Sequence, residues 1–73
     1  MEKRGRLNVT LGVNLRAIRQ ARGLSQEQFA HALRYDRTYV ASVERGERNL
    51  TLDTVSDLAN RLGVDALHLL HEP

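Results

Sequence analysis

The chain has 73 residues and no cysteine, so it forms one small domain, and disulfide bonds, a thiolate zinc site and a cysteine nucleophile are excluded. Its 41% hydrophobic and 27% charged residues are typical of a folded domain. Because it has no apolar stretch of membrane length and no signal peptide, we expect it in the cytoplasm. The net charge is +2, but the charges are unevenly distributed. Residues 1–48 are basic, with ten Lys/Arg against five Asp/Glu, and residues 49–73 are acidic. This asymmetry fits a surface for a polyanion, and an uneven solvated surface explains it equally well.

The spacing of apolar residues predicts helices and gives little indication of strands. Residues 1–8 are polar and basic, and we expect a flexible tail there, which either keeps the chain soluble or reaches a phosphate as an arm. Leu11, Leu15 and Ile18 then occupy the i, i+4 and i+7 positions of one helix face, and Gly23 ends this first helix.

The second helix opens with a capping box. Ser25 and Gln28 are spaced so that the side chain of each satisfies a free backbone N–H group of the other. The buried face of this helix consists of Phe29, Ala30 and Leu33. The chain then turns at residues 34–36.

A third short helix follows, with Asp36 as its N-cap, Val40 and Val43 facing inward and Gly46 at its end. Residues 26–45 therefore form a helix, a tight turn and a second helix. The outward side of that second helix carries Arg37, Thr38, Ala41 and Ser42. Such a helix can lie in the major groove of DNA, where arginine can contact guanine and Thr or Ser can contact several bases.

Two further helices complete the domain. Thr51 caps the fourth helix, which ends at Gly63. We expect this helix to bury Leu52, Val55, Leu58, Ala59 and Leu62. Asp65 caps a last short helix that contains Leu69 and Leu70.

The sequence carries none of the common catalytic motifs, such as a phosphate-binding glycine loop or a nucleophile elbow. His68 and His71 can share a helix face, but a metal site needs further ligands, so surface or interface histidines are the simpler interpretation. Asp53 and Asp57 are four residues apart, and we interpret them as a solvated helix face rather than as an acid–base pair. We therefore expect no enzyme, cofactor, metal or small-molecule ligand.

Three pieces of the sequence, LGVNLRAIRQARGLSQEQFA, VASVERG and LDTVSDLANRLGV, occur in this order. Through them, residues 11–70 resemble the Cro/phage-repressor helix-turn-helix family, also called the xenobiotic-response-element family. The stretch DRTYVASVERGERNLTL is similar to the controller proteins of restriction–modification systems, which are small homodimeric transcription factors that bind palindromic operators. The resemblance implies an all-α, compact, five-helix lambda-repressor-like domain over residues 9–73, with DNA-binding and dimerisation functions and a helix-turn-helix at residues 26–45.

The resemblance also implies which residues contact DNA. Gln26 matches a phosphate-contacting residue at the start of the second helix, where free N–H groups also suit a phosphate. The other implied residues are Arg37, Thr38 and Ser42, which read bases, Tyr39, which supports the contacts of its neighbours, and Arg48 and Asn49 in a loop that meets DNA. Each side chain also has a structural alternative, as a solvated residue, a helix former or a core contact.

Two positions concern the framework of the domain. Arg19 and Glu44 match a family salt bridge between the first and third helices, whose role would be structural. Arg34 stands where the family often has glycine, in a turn that usually needs a left-handed backbone.

The last helix is the expected dimer interface. Leu67 is apolar where many relatives carry a polar residue, and in controller-like relatives the C-terminal helices form the dimer. We expect Leu67, His68 and Leu70 at such an interface, and the alternative is that Leu67 packs on its own core. Dimerisation would also stabilise a domain this small.

We interpret the chain as a homodimeric, sequence-specific transcriptional regulator that binds a palindromic operator through the major groove, as a controller of a restriction–modification system. Its partners would be double-stranded DNA and a second copy of the chain, with RNA polymerase as a candidate third. The alternative is an antitoxin-like or phage-type repressor whose partner is a protein as well as DNA. A further segment that binds such a partner would distinguish the antitoxin-like protein.

Overall fold

The computed structural model describes residues 6–73. Over this range the chain forms five helices: α1 (Arg6–Ala21), α2 (Gln26–Leu33), α3 (Arg37–Glu44), α4 (Leu52–Leu62) and α5 (Ala66–Leu70). The predicted all-α, five-helix architecture is confirmed, and the predicted helix-turn-helix corresponds to α2 and α3. No helix within residues 6–73 is long and apolar enough to cross a membrane.

The first helix begins earlier than the sequence suggested. Because α1 starts at Arg6, the expectation of a tail over residues 1–8 is wrong for Arg6, Leu7 and Asn8, and residues 1–5 lie outside the described residues. Two of the three side chains have partners in the fold. Arg6 pairs with Glu72 at 3.0 Å, and Asn8 donates a hydrogen bond to Asn49 at 3.1 Å. These contacts, together with the good helix formers Arg6 and Leu7, extend α1 into the polar segment that was predicted to be a tail.

Each of the four predicted N-caps is present. The side-chain oxygens of Ser25, Asp36, Thr51 and Asp65 accept hydrogen bonds from backbone N–H groups in the first turns of α2, α3, α4 and α5. Ser25 and Gln28 form the complete capping box, with N···O distances of 3.1 Å and 2.9 Å. Polar residues at the helix starts therefore set the boundaries of the elements, as expected for groups that satisfy otherwise unpaired donors.

The turn between α2 and α3 contains a left-handed residue that is not glycine. Arg34 has φ 63° and ψ 42°, and it is the one non-glycine residue with positive φ within residues 6–73. This backbone conformation costs an L-residue about 1–2 kcal/mol. The next N–H group, that of Tyr35, donates to the carbonyl of Ala30 at 2.9 Å. This bond closes the end of α2 and directs the chain into α3.

One apolar cluster holds the helices together. Helix α1 packs against α3 and α5, α3 also packs against α2, and α4 packs against α5. The largest fully buried side chains are Phe29, Leu11, Leu15, Leu58, Leu69, Val40 and Val43. The prediction that Leu52 is buried is wrong, because its exposed fraction is 82%. It is the first residue of α4, at the rim of the core, whereas the apolar positions from Val55 onward face the other helices.

A glycine allows the backbones of α1 and α3 to meet. A Cβ atom at Gly12 would lie 2.5 Å from the carbonyl oxygen of Val43 and 2.6 Å from that of Glu44. Any side chain would therefore push the last turn of α3 away from α1. Since α3 carries the residues predicted to read DNA, this contact fixes the position of the candidate site.

Candidate nucleic-acid interface

The first turn of α3 carries two of the predicted base-reading residues. Arg37 and Thr38 are both exposed. The side-chain oxygen of Asp36 accepts the hydrogen bond of the Thr38 backbone N–H at 2.8 Å, so the cap uses the backbone of Thr38 and not its hydroxyl. A guanidinium and a hydroxyl at the N-terminus of an exposed helix can reach the base edges of a major groove.

The structure brings Ser42, Tyr39 and Arg48 together. The Ser42 hydroxyl donates to the carbonyl of Tyr39 at 2.8 Å and accepts from Arg48 Nε at 3.0 Å. The guanidinium of Arg48 also lies over the Tyr39 ring, 4.9 Å from its centroid. Ser42 is half-buried and occupied by these bonds, so in this conformation it supports Arg48, while Arg48 remains exposed beside α3.

Tyr39 is also packed against a second tyrosine. The rings of Tyr35 and Tyr39 have centroids 5.0 Å apart and are tilted by 38°. Burial raises the pKa of Tyr39 above its ordinary value, against the lowering effect of the positively charged Arg48. The Tyr39 hydroxyl therefore remains protonated at neutral pH and can donate a hydrogen bond.

The sequence did not assign Tyr35, Asp57 or Arg61 to the site, but these three residues contact one another next to Tyr39. Tyr35 donates to Asp57 Oδ2, Arg61 pairs with the same oxygen at 2.9 Å, and the Arg61 guanidinium lies 4.3 Å from the Tyr35 ring centroid. Asp57 was interpreted only as part of a solvated face. The available signal was the spacing of four residues between Asp57 and Arg61, which places both side chains on one face of α4. Tyr35 lies in the turn before α3, where no helical spacing predicts its contact with Tyr39.

A buried carboxylate joins α1, α2 and α3. Glu44 accepts from Arg19 Nε at 2.8 Å and from Arg19 Nη2 at 3.2 Å, and its side chain is 3% exposed. Gln26 Nε2 donates to the same carboxylate at 3.0 Å. Gln26 is the first residue of α2, so its side chain is held in place next to the unpaired N–H groups of a helix start. Such a start can bind a phosphate oxygen.

The loop after α3 is tied to the start of α1. Asn49 accepts the hydrogen bond of Asn8 described above, and it is exposed. Arg45 and Glu47, between α3 and Arg48, form an exposed ion pair at 3.0 Å. The loop thus presents Arg48 and Asn49 on the side of the domain where α3 ends.

The opposite end of the chain contains the predicted dimer residues. Leu67 is 73% exposed and His68 is also exposed, whereas Leu70 is half-buried against the core. The alternative in which Leu67 packs on its own core is therefore wrong. Among residues 6–73, no group of three His, Cys, Asp or Glu residues could hold a metal ion.

Residues 15–69 match the sequence model of a protein family described as helix-turn-helix. The chain is 47% identical over 60 residues to the control protein C.SmaI of Serratia marcescens, a match that covers 82% of this chain and 71% of that protein. It is 42% identical over 67 residues to a hypothetical transcription factor of Neisseria meningitidis, covering 92% of this chain. The chain spans 63% of the length of that relative.

Solved structures show the same fold. The restriction–modification controller protein C.AhdI from Aeromonas hydrophila has a TM-score of 0.71 and 44% identity, over 85% of this chain and 94% of that one. The structure of the Neisseria transcription factor has a TM-score of 0.80, over 92% of this chain and 77% of that one. The resemblance to the Cro/phage-repressor family and to controller proteins is thereby confirmed.

Proposed function

Because the chain belongs to the helix-turn-helix family of DNA-binding transcriptional regulators, we propose that it works as a homodimer on a palindromic operator. In this proposal it is the controller protein of a restriction–modification system. The similarity to C.SmaI and C.AhdI supports the controller subtype. The exposed start of α3 supports the operator, and the exposed Leu67 on α5 supports the homodimer.

The observation that carries the proposal is the exposed start of α3. Arg37 and Thr38 are exposed on the helix that follows the tight turn, and Arg48 lies exposed beside the end of that helix. Placed in a major groove, Arg37 and Thr38 face base edges, with Arg37 able to bind guanine through two hydrogen bonds. Gln26 and the start of α2 then face the phosphate backbone.

The exposed Leu67 supplies the contact between two copies in this proposal. Leu67 and His68 are exposed on α5, and Leu70 lies partly exposed on the same short helix. Two-fold symmetry through this surface would place two α3 helices in successive major grooves, about 34 Å apart. RNA polymerase is the candidate further partner of the bound dimer.

Selection from random duplex DNA at near-physiological salt, followed by sequencing of the retained duplexes, tests the proposal. We expect a palindrome whose half-sites are about one helical turn apart. Retention without sequence enrichment would contradict the proposal, since it would leave only the electrostatic attraction of arginines for phosphate. A stable complex with a second protein that prevents enrichment would favour the antitoxin-like alternative.

Arg37→Ala should weaken operator binding by about 1–3 kcal/mol and relax the preference at one base position in each half-site. The control is Arg22→Ala, because Arg22 donates to the carbonyl of Leu62 at the end of α4, away from α3. It removes the same charge and should leave the base preference unchanged. If both variants keep the wild-type preference, Arg37 does not read a base.

A further inference from the structure

Four side chains form a continuous stack that crosses the domain from α4 to the loop after α3. We call it the arginine–tyrosine stack, and it consists of Arg61, Tyr35, Tyr39 and Arg48. The guanidinium of Arg61 lies 4.3 Å from the Tyr35 centroid, the two rings are 5.0 Å apart, and the guanidinium of Arg48 lies 4.9 Å from the Tyr39 centroid. A cation thus lies over a ring at each end, where the ring face attracts it.

The end of the stack on α4 is held on several sides. Arg61 Nε pairs with Asp57 at 2.9 Å, and Asp57 also accepts the hydroxyl of Tyr35. Arg61 Nη1 donates to the carbonyls of Leu33 and Arg34, at 2.9 Å and 3.2 Å. The same guanidinium therefore contacts the left-handed turn and the tyrosine that follows it. These bonds also satisfy carbonyls that the end of α2 leaves without helical partners.

The other end of the stack lies at the candidate DNA interface. Arg48 is exposed, and it is held by the Tyr39 ring and by the Ser42 hydroxyl at 3.0 Å. An arginine with a free side chain loses rotamer freedom when it binds, which weakens binding. Arg48 has part of that freedom removed before DNA arrives.

We infer that Arg61 is a positioning residue for DNA binding, which acts on Arg48 through the two stacked tyrosines. The inference rests on the proposed function, because it needs an operator to be read out. It assigns to α4 a role in operator affinity that does not require Arg61 to contact a base. Losing the guanidinium leaves the Tyr35 ring without its cation, held by the hydroxyl bond to Asp57 alone. The two rings can then shift, and Arg48 samples orientations that do not bind.

The test compares Arg61→Gln with Arg22→Gln in the full chain. Both variants remove one positive charge and one arginine that donates to carbonyls at a helix end, at 2.9 Å in each case. Only Arg61 is part of the stack. Fluorescence anisotropy with the selected operator and with a scrambled duplex measures binding, at a temperature where circular dichroism shows each variant folded.

We expect Arg61→Gln to weaken operator binding on the order of tenfold, and Arg22→Gln to change it by no more than about twofold. The affinity of either variant for the scrambled duplex should stay within about twofold of the wild-type affinity. The aromatic NMR resonances of Tyr39 should shift in Arg61→Gln and stay in place in Arg22→Gln. Equal operator affinities for the two variants would overturn the inference.

A double-mutant cycle with Arg48→Gln tests the route of the effect. If Arg61 acts through Arg48, the loss caused by Arg61→Gln should shrink to about twofold or less when Arg48 is already absent. An undiminished tenfold loss in that background would overturn the role of the stack.

A third variant separates the turn from the stack and guards against a folding defect. Arg34→Gly removes the left-handed strain, so Arg34→Gly combined with Arg61→Gln should regain thermal stability but not operator affinity. Recovery of affinity together with stability would overturn the inference by reducing Arg61 to a stabiliser of the turn. If the wild-type chain enriches no operator, the proposed function is contradicted instead. The stack can still be tested in that case, because unchanged NMR resonances of Tyr39 in Arg61→Gln would overturn it without any DNA.

Discussion

Replacing Glu44 by glutamine tests how strongly the buried carboxylate joins the three helices that present the site. Glu44 accepts from Arg19 through two nitrogens and from Gln26, and its side chain is 3% exposed. In Glu44→Gln the guanidinium of Arg19, which is 13% exposed, loses its counter-charge while it stays in the same place. Glutamine keeps one oxygen acceptor, so part of the hydrogen bonding survives.

The expected loss is large for a domain of this size. Breaking one partner of a buried ion pair costs about 3–5 kcal/mol, and we expect about 2–3 kcal/mol because an acceptor remains. A domain of this length has an unfolding free energy of about 4–11 kcal/mol. The variant should therefore lose a substantial fraction of its stability, with a fall in Tm of about 10 °C or more.

Urea unfolding followed by circular dichroism measures this loss, with Glu72→Gln as the matched control. Glu72 also pairs with an arginine, Arg6, at 3.0 Å, but both side chains are more than 60% exposed. Exposed pairs contribute about 0–1 kcal/mol, so the control should lie close to the wild type. Similar losses in both variants would refute the reasoning, because burial would then make no difference to the pair.

Three further predictions concern the packing, the dimer and the tyrosines. Gly12→Ala should lower the free energy of unfolding, measured in urea, by about 2 kcal/mol or more, because its Cβ would collide with two carbonyl oxygens of α3. Alanine is the better helix former, so a stabilised variant would contradict the close approach of α1 and α3. Leu67→Lys should weaken self-association in sedimentation experiments without lowering the unfolding free energy of the monomer, since Leu67 is 73% exposed, and an unchanged association constant would remove Leu67 from the interface. Burial and the hydrogen bond to Asp57 raise the pKa of Tyr35 well above its ordinary value, so the folded state holds the proton more tightly than the unfolded state. The unfolding free energy should be unaffected by Tyr35 below about pH 10 and should fall as the pH rises above it; Tyr35→Phe should flatten this fall, and an equally steep fall in the variant would contradict the assignment.

The sequence was sufficient for features that depend on local chemistry. The caps at Ser25, Asp36, Thr51 and Asp65 follow from short polar side chains that satisfy backbone donors within three residues, and each was predicted at the correct position. The left-handed conformation of Arg34 was also expected, but from the resemblance, because the family often has glycine at this position of the turn.

Features that depend on distant parts of the chain were less accessible. Helical periodicity alone placed Leu52 in the core, but periodicity cannot tell that the first turn of α4 has no neighbour over it. The start of α1 was missed because its first side chains bind Glu72 and Asn49, more than 40 residues away. The contacts of Arg61 with Tyr35 and the turn carbonyls likewise become visible only when α4 is placed beside α2.

The spacing of half-sites tests the central claim most directly, that two copies read one operator through α3. The selected palindrome is compared by anisotropy titration with a single half-site and with a version in which five base pairs are inserted between the half-sites. Since half a helical turn moves one major groove to the opposite face of the duplex, we predict that both altered duplexes bind on the order of a hundredfold more weakly than the intact palindrome. Equal affinity for all three duplexes would contradict the account.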